Sequence, residues 1–192
     1  MNPARGNAPA GHAVRRCGEA DLDGILAVIN DGAEAYRGVI PADCWHEPYM
    51  PAAELEREIA GGVAFWGIPG PDPGTGGRLV AVMGLQEVED VALIRHAYVR
   101  RAAQRRGLGG ALIEELGART GRPLLVGTWA AAEWALRFYA KHGFEVMPPA
   151  ETAALLRRYW SVPERQIKTS AVLADAAWRA RRANPSPPRN DL

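Results

Sequence analysis

Apolar residues recur along this chain with two alternating periods, and the alternation marks out its elements. "AVRRC" (13–17) is short and extended. After Asp21, a residue type that caps helices, Leu22, Ile25, Leu26 and Ile29 share one helical face. "NDGAEAYRGVIP" is polar and aperiodic, a loop. "PAAELEREIAGG" opens on Pro51 and stops at glycine, as a second helix would. "VAFWGI" and "RLVAVMGLQEV" are strands flanking the turn-forming "PGPDPGTGG" (69–77). "VALIRHAYV" (91–99) is apolar enough for a strand covered on both faces. From Leu108 the period is helical again: Leu108, Ala111, Leu112 and Leu116 align, with Glu114 and Glu115 outward. Next come the strand "PLLVGTW", the helix "AAAEWALRFYAKHG" and the strand "FEVM", then a short helix "ALLRRYW" and a last strand "RQIKTSAVLAD". The order β-α-α-β-β-β-α-β-α-β, followed by the added helix and strand, predicts an α/β (α+β) fold with a mixed central sheet flanked by helices.

Composition narrows this picture. A chain of 192 residues that is 47% hydrophobic can bury one core, expected over 13–175. Residues 1–12 are Gly/Ala/Pro-rich, and 176–192 are expected to form a short helix followed by a Pro-rich tail; both ends are expected to lack fixed structure beyond that helix. With a net charge of +1, any affinity for polyanions must be local. Cys17 and Cys44 show no metal-ligand spacing, so no metal is expected, and unpaired thiols suit the cytoplasm. No apolar run approaches the roughly 20 residues that span a bilayer, and "MNPARGNAPAGH" lacks a signal-peptide core. A cytoplasmic protein without membrane attachment is the expectation.

The chemistry concentrates in "HAYVRRAAQRRGLGGALIEELG" (96–117). A phosphate-binding P-loop needs a Gly-Lys-Ser/Thr ending, which is missing. A dinucleotide fingerprint needs a third glycine where Leu112 stands, directly after a strand, and here Arg100 to Arg106 intervene. What remains is a strand, an arginine-rich loop, "QRRGLGG" and a helix. Glycines admit close approach of a ligand to the backbone, and the unpaired N–H groups of a helix start favour a pyrophosphate.

Those residues resemble the GNAT superfamily of N-acetyltransferases. Gln104-x-x-Gly107-x-Gly109 is similar to that family's acetyl-CoA motif, and Phe138-Tyr139-Ala140-Lys141-His142-Gly143-Phe144 is similar to its second recurring phrase. The resemblance covers about 91–146 and implies acetyl-CoA as cosubstrate. It implies that the strands "RHAYV" and "LLVGT" splay apart to take the pantetheine arm, which pairs with backbone around Ala97, Tyr98 and Val99. It also implies that the pyrophosphate meets the N–H groups of Gln104, Arg105, Arg106, Gly107, Leu108, Gly109 and Gly110. Tyr139 matches the position that protonates the departing thiolate. An asparagine common seven residues earlier is replaced by Ala132. A backbone N–H at Val99 suits the oxyanion. For the general base, His96 has the right ordinary acidity, with Glu87, Glu89 and Glu34 as alternatives.

The acceptor is expected to be a small polar molecule bearing a primary amine. Its site is expected in "NDGAEAYRGVIPADCWHEPYM", with Glu34, Tyr36 and Arg37 as contacts, Arg37 holding an anionic group, and Trp129 closing the far wall; Trp160 is a further wall candidate. A Cys44–His46 dyad lacks a third partner. Two other classes stand beside the enzyme: a non-catalytic acetyl-CoA-binding regulator, and a nucleic-acid module using Arg100, Arg101, Arg105 and Arg106. The second is disfavoured by the near-neutral charge and the absence of interleaved aromatics, so no nucleic-acid partner is expected. The added helix and strand predict a homodimer through an exposed sheet edge.

Overall fold

The computed structural model describes residues 13–70 and 77–183. The chain ends expected to lack structure, and most of "PGPDPGTGG", lie outside the described residues. Among the described residues, seven strands form one sheet in the order β1-β2-β3-β4-β5-β7-β6. These are β1 (Arg15–Arg16), β2 (Ala64–Pro69), β3 (Leu79–Val88), β4 (Val91–Val99), β5 (Leu124–Trp129), β6 (Glu145–Val146) and β7 (Ser170–Ala174). All neighbours are antiparallel except β4 and β5, which are parallel and joined by the crossover helix α3 (Leu108–Arg119). The sheet is mixed, as the alternation of periods predicts.

Helices cover both faces. On one, Leu112 and Leu116 of α3 and Ala135 and Tyr139 of α4 (Glu133–Lys141) pack with Met83, Ile94 and Val126. On the other, Ile25 and Ile29 of α1 (Leu22–Ala33) and Leu55 of α2 (Ala52–Ala60) pack with Phe65 and Val82. Beside them Leu155 and Leu156 of α5 (Pro149–Tyr159) pack over Leu93, Leu125 and Val172. Strand alternation explains the division: Ile94 and Val126 face one layer, Leu93 and Leu125 the other.

Several elements differ from expectation. Helix α1 runs on through "NDGA", because Gly32 lies against the Tyr98 ring, where a Cβ would come within 3.1 Å of it. Asp21 makes no side-chain cap on α1; its carboxylate accepts the Gly18 N–H at 2.9 Å and pairs with Arg15 at 2.6 Å. "RQIKTSAVLAD" divides into α6 (Glu164–Ile167), which starts after Pro163, and β7. That strand lies between β5 and β6, so it is no edge. The edges are β1 and β6, two residues each. The edge-pairing argument for a homodimer therefore loses its basis. The short helix after 175 forms as α7 (Ala176–Ala183), and Trp178 is buried edge-on to Tyr159.

One irregularity positions the site. The β3–β4 register shifts by one residue, so His96 and Ala97 together oppose Met83, and His96 takes a left-handed φ of 47°. Such a bulge bends and twists its strand. Parallel pairing with β5 ends just there, at Ile94–Val126, although β4 continues to Val99 and β5 to Trp129. The sheet splits open beyond it.

Candidate active site

The split is a cleft of about 150 Å³, lined by Ala97 and Tyr98 from β4, Gly127, Thr128 and Trp129 from β5, and Tyr139 from α4. Its walls carry unspent backbone groups. Arg100 donates its N–H to the Val80 carbonyl at 2.8 Å. Hydrogen bonds alternate along an antiparallel strand, so the N–H of Val99, next to Arg100, turns away from β3. Gln104, on the basic loop, donates from Nε2 to the Val99 carbonyl at 3.3 Å.

The loop leading into α3 has the shape an anion needs. Arg105 and Gly107 both adopt positive φ (62° and 79°), and Gly107 precedes the first helical residue. The first turn of a helix leaves its N–H groups unpaired. Gln104, Arg105, Arg106 and Gly107 are exposed, whereas the Leu108 side chain is buried, so Leu108 has only its backbone to offer. Of the four arginines nearby, Arg100 donates to the Leu79 carbonyl and Arg101 pairs with Asp31 on α1. Those two hold the loop to the fold, which further weakens a nucleic-acid patch.

The glycines after Gly107 have a different role from close approach to a ligand. A Cβ on Gly109 would stand 2.9 Å from the Phe138 ring, and one on Gly110 would stand 2.7 Å from the His142 ring. The glycines of the first motif are thus sockets for two rings of the second, and they let α3 and α4 pack closely. His142 is explained by that packing.

The second motif is also a helix terminus. Gly143 has φ 84°, the Phe144 N–H reaches the Tyr139 carbonyl at 3.2 Å, and the Gly143 N–H reaches the Ala140 carbonyl at 3.1 Å. This is the Schellman arrangement, with its apolar contact between Tyr139 and Phe144, ring centroids 5.8 Å apart. Tyr139 is thereby fixed at the cleft. Burial pushes its phenol well above the ordinary tyrosine range, with a smaller contribution from Tyr36. Ala132, where an asparagine is common, is fully buried just before α4.

His96 also borders the cleft, and the bulge determines its company. Arg95 and His96, consecutive in sequence, both reach Glu58 on α2. Arg95 donates at 2.6 Å, and His96 Nε2 lies 3.2 Å from the same carboxylate oxygen, a contact poorly aligned for a hydrogen bond. The His96 ring stacks on Phe65. Burial pushes Glu58 up, but His96 and the Arg95 guanidinium outweigh it and leave the carboxyl below its ordinary range. Glu58 is absent from the sequence-based candidates, since nothing local links 58 to 96. The alternative bases fall away: Glu87 pairs with Arg122 and Glu89 with Arg158, beside the β3–β4 turn and far along β4 from the split.

The segment 34–50 covers the mouth. Tyr36 and Tyr49 stack at 6.4 Å, both meet Tyr98 edge-on, and Trp129 donates from Nε1 to the Tyr49 hydroxyl at 3.4 Å. Burial pushes Tyr36 up to about 12, opposed by a hydrogen bond with Thr128. Glu34 and Arg37 lie in this segment beside the residues that line the cleft, and Arg37 is already engaged by neighbours. It pairs with Glu34 at 2.9 Å and with Glu47, and lies over the Trp45 ring. Cys44 and His46 form no dyad: Cys44 packs into the core, and His46 Nδ1 meets the Pro48 carbonyl at 2.8 Å. Cys17 is no nucleophile either, since burial pushes its thiol up to about 11. Among the described residues no cluster suits a metal ion, and no helix is long and apolar enough to cross a membrane.

Comparison with known proteins agrees with this geometry. Residues 52–146 match the family model described as an acetyltransferase (GNAT) domain. No curated protein matches by sequence. The fold is shared with PaiA N-acetyltransferase from Thermoplasma acidophilum, solved with coenzyme A, at 16% identity and a TM-score of 0.61 over 85% of this chain and 97% of that one. A GNAT-family acetyltransferase from Staphylococcus aureus Mu50 gives 13% identity and 0.62 over the same shares. The ribosomal-protein-S18-alanine N-acetyltransferase from Escherichia coli gives 17% and 0.58, covering 94% of this chain and 97% of that one.

Proposed function

Since the chain is a member of the GNAT superfamily of acyltransferases, whose cosubstrate is acetyl-CoA, we propose that it moves the acetyl group to a primary amine by direct attack within the β4–β5 cleft. The observation that carries this reading is the split itself, with Ala97 and Tyr139 at its wall. Acetyl-CoA supplies the activated thioester. Residues 104–110 offer their N–H groups to its pyrophosphate, and the cleft wall takes its arm.

Each remaining step belongs to a residue of this chain. His96 takes the ammonium proton of the acceptor, with Glu58 as the positioning carboxylate behind it. The freed amine nitrogen bonds to the thioester carbon, and the Val99 N–H steadies the oxygen as it gains charge. As the carbon–sulfur bond breaks, the nitrogen, cationic since its attack, releases its second proton to solvent, while the Tyr139 hydroxyl gives its proton to sulfur and regains one from solvent. A buried phenol far above its ordinary range is a weak acid, but the same burial raises the basicity of the thiolate beside it, and the difference governs transfer.

The test is an amine panel with detection of free thiol. Amine-dependent thiol release, with acetylated product in equal amount, is the expected result. Tight acetyl-CoA binding without turnover on any amine would instead make the chain a cofactor-binding regulator.

A further inference from the structure

The mouth of the cleft is aromatic and acidic, and that combination bears on which amine enters. Tyr36, Tyr49 and Tyr98 present ring faces and edges to one another at 6.2 to 6.4 Å, and Trp134, half-exposed on α4, lies 5.3 Å from Tyr36. Close along the chain to the lining residues Tyr36 and Tyr49, Glu34 and Glu47 share the one guanidinium of Arg37. Hydrogen bonding to Arg37 holds both carboxyls below their ordinary range, so the trio keeps one net negative charge at neutral pH. Deeper in, Arg95 is the permanent cation among the described residues lining the cleft, and it is occupied by Glu58 at 2.6 Å and Gln86 at 2.7 Å.

An amino-acid acceptor would bring a carboxylate into this setting. It would meet π faces and carboxylates, with the nearby guanidinium groups of Arg37, Arg95 and Arg101 already paired. Desolvating a carboxylate without a partner is costly. An ammonium group meets the reverse: ring faces and net negative charge attract it. Once inside, burial favours its neutral form, which is the form that attacks a thioester. Resting on the acetyltransfer reading above, we infer that the acceptor is an organic amine with an alkyl or aromatic body and no carboxylate. Arg37 then trims the negative charge of the mouth, and anchors nothing.

Matched pairs that differ by one carboxylate test this: phenethylamine against phenylalanine, and pentylamine against norleucine. Each is assayed for free-thiol release on the full chain, and for binding by quenching of protein fluorescence. The amine of each pair is expected to show a kcat/KM at least about tenfold above its amino acid. Arg37→Gln is expected to lower KM for phenethylamine, because it releases two carboxylates to the incoming cation. Trp134→Ala, on the helix surface, is expected to raise that KM several-fold with unchanged acetyl-CoA affinity. Equal or better use of the amino acids, or loss of phenylalanine turnover alone in Arg37→Gln, would overturn the inference and restore Arg37 as an anion seat. Preference for a peptide with a free N-terminus over phenethylamine would overturn it in favour of a polypeptide acceptor. If acetyl-CoA binds yet neither member of a pair binds or turns over, the inference is wrong. If acetyl-CoA itself fails to bind, the acetyltransfer reading has failed first.

Discussion

Tyr139 has a packing role and a proposed catalytic one, and a single substitution separates them. Its ring closes the end of α4 against Phe144, and the residue lines the cleft. Tyr139→Phe keeps the ring and removes the proton, so turnover is expected to fall by roughly 10² to 10⁴, with acetyl-CoA affinity and melting temperature nearly unchanged. Wild-type turnover under conditions where chemistry is rate-limiting would hand the proton to water. Asp21 offers a purely structural counterpart. Hydrogen bonding to Arg15 and the Gly18 N–H, against a smaller opposing effect of burial, lowers its carboxyl from 3.8 to about 2. A depressed folded value means stability that is present above the unfolded value and lost as pH falls through the folded one. Asp21→Asn should therefore cost stability above about pH 5, with the gap from wild type closing toward pH 2; a gap independent of pH would refute the linkage. Single residues were the least legible scale in the sequence. Tyr139 stood out through its motif, but Arg37 did not announce its two carboxylates, because Glu34 is near in sequence and Glu47 is brought back by the fold.

Helices α3 and α4 show how two short phrases become one device. Gly109 and Gly110 accept the rings of Phe138 and His142, so the start of the proposed cofactor helix and the end of the Tyr139 helix are held as a unit. Gly109→Val accordingly acts first on the fold: overpacking against Phe138 should cost about 1 to 3 kcal/mol. Phe138→Leu should recover part of that loss in the double mutant, because contacting residues are not additive. Strictly additive losses would mean that the socket does not matter. Both phrases were visible as words in the sequence, and so were the helix start at Leu108 and its end before Gly143. Their interlock was not visible, since periodicity describes one helix at a time. The bulge at His96 was hidden for a similar reason: "VALIRHAYV" has an even apolar run, and only pairing with Met83 reveals the extra residue.

At the scale of the molecule, the alternation of periods sufficed for a mixed sheet covered on both faces. It did not reveal that β7 inserts between β5 and β6, because strand order depends on long-range pairing and not on local pattern. Nor did it reveal the charge in and beside the cleft, to which Arg95, Glu58 and the trio of Glu34, Arg37 and Glu47 come from three separate stretches of chain. The central claim is that the β4–β5 split and the turn into α3 together receive acetyl-CoA. Amide hydrogen exchange with and without saturating acetyl-CoA measures this directly. Binding should slow exchange at Ala97 and Val99 and through 104–110, and leave α7, which contributes no residue to the cleft, unchanged. Full saturation with no protection at 97–110, or with protection centred elsewhere, would contradict the account.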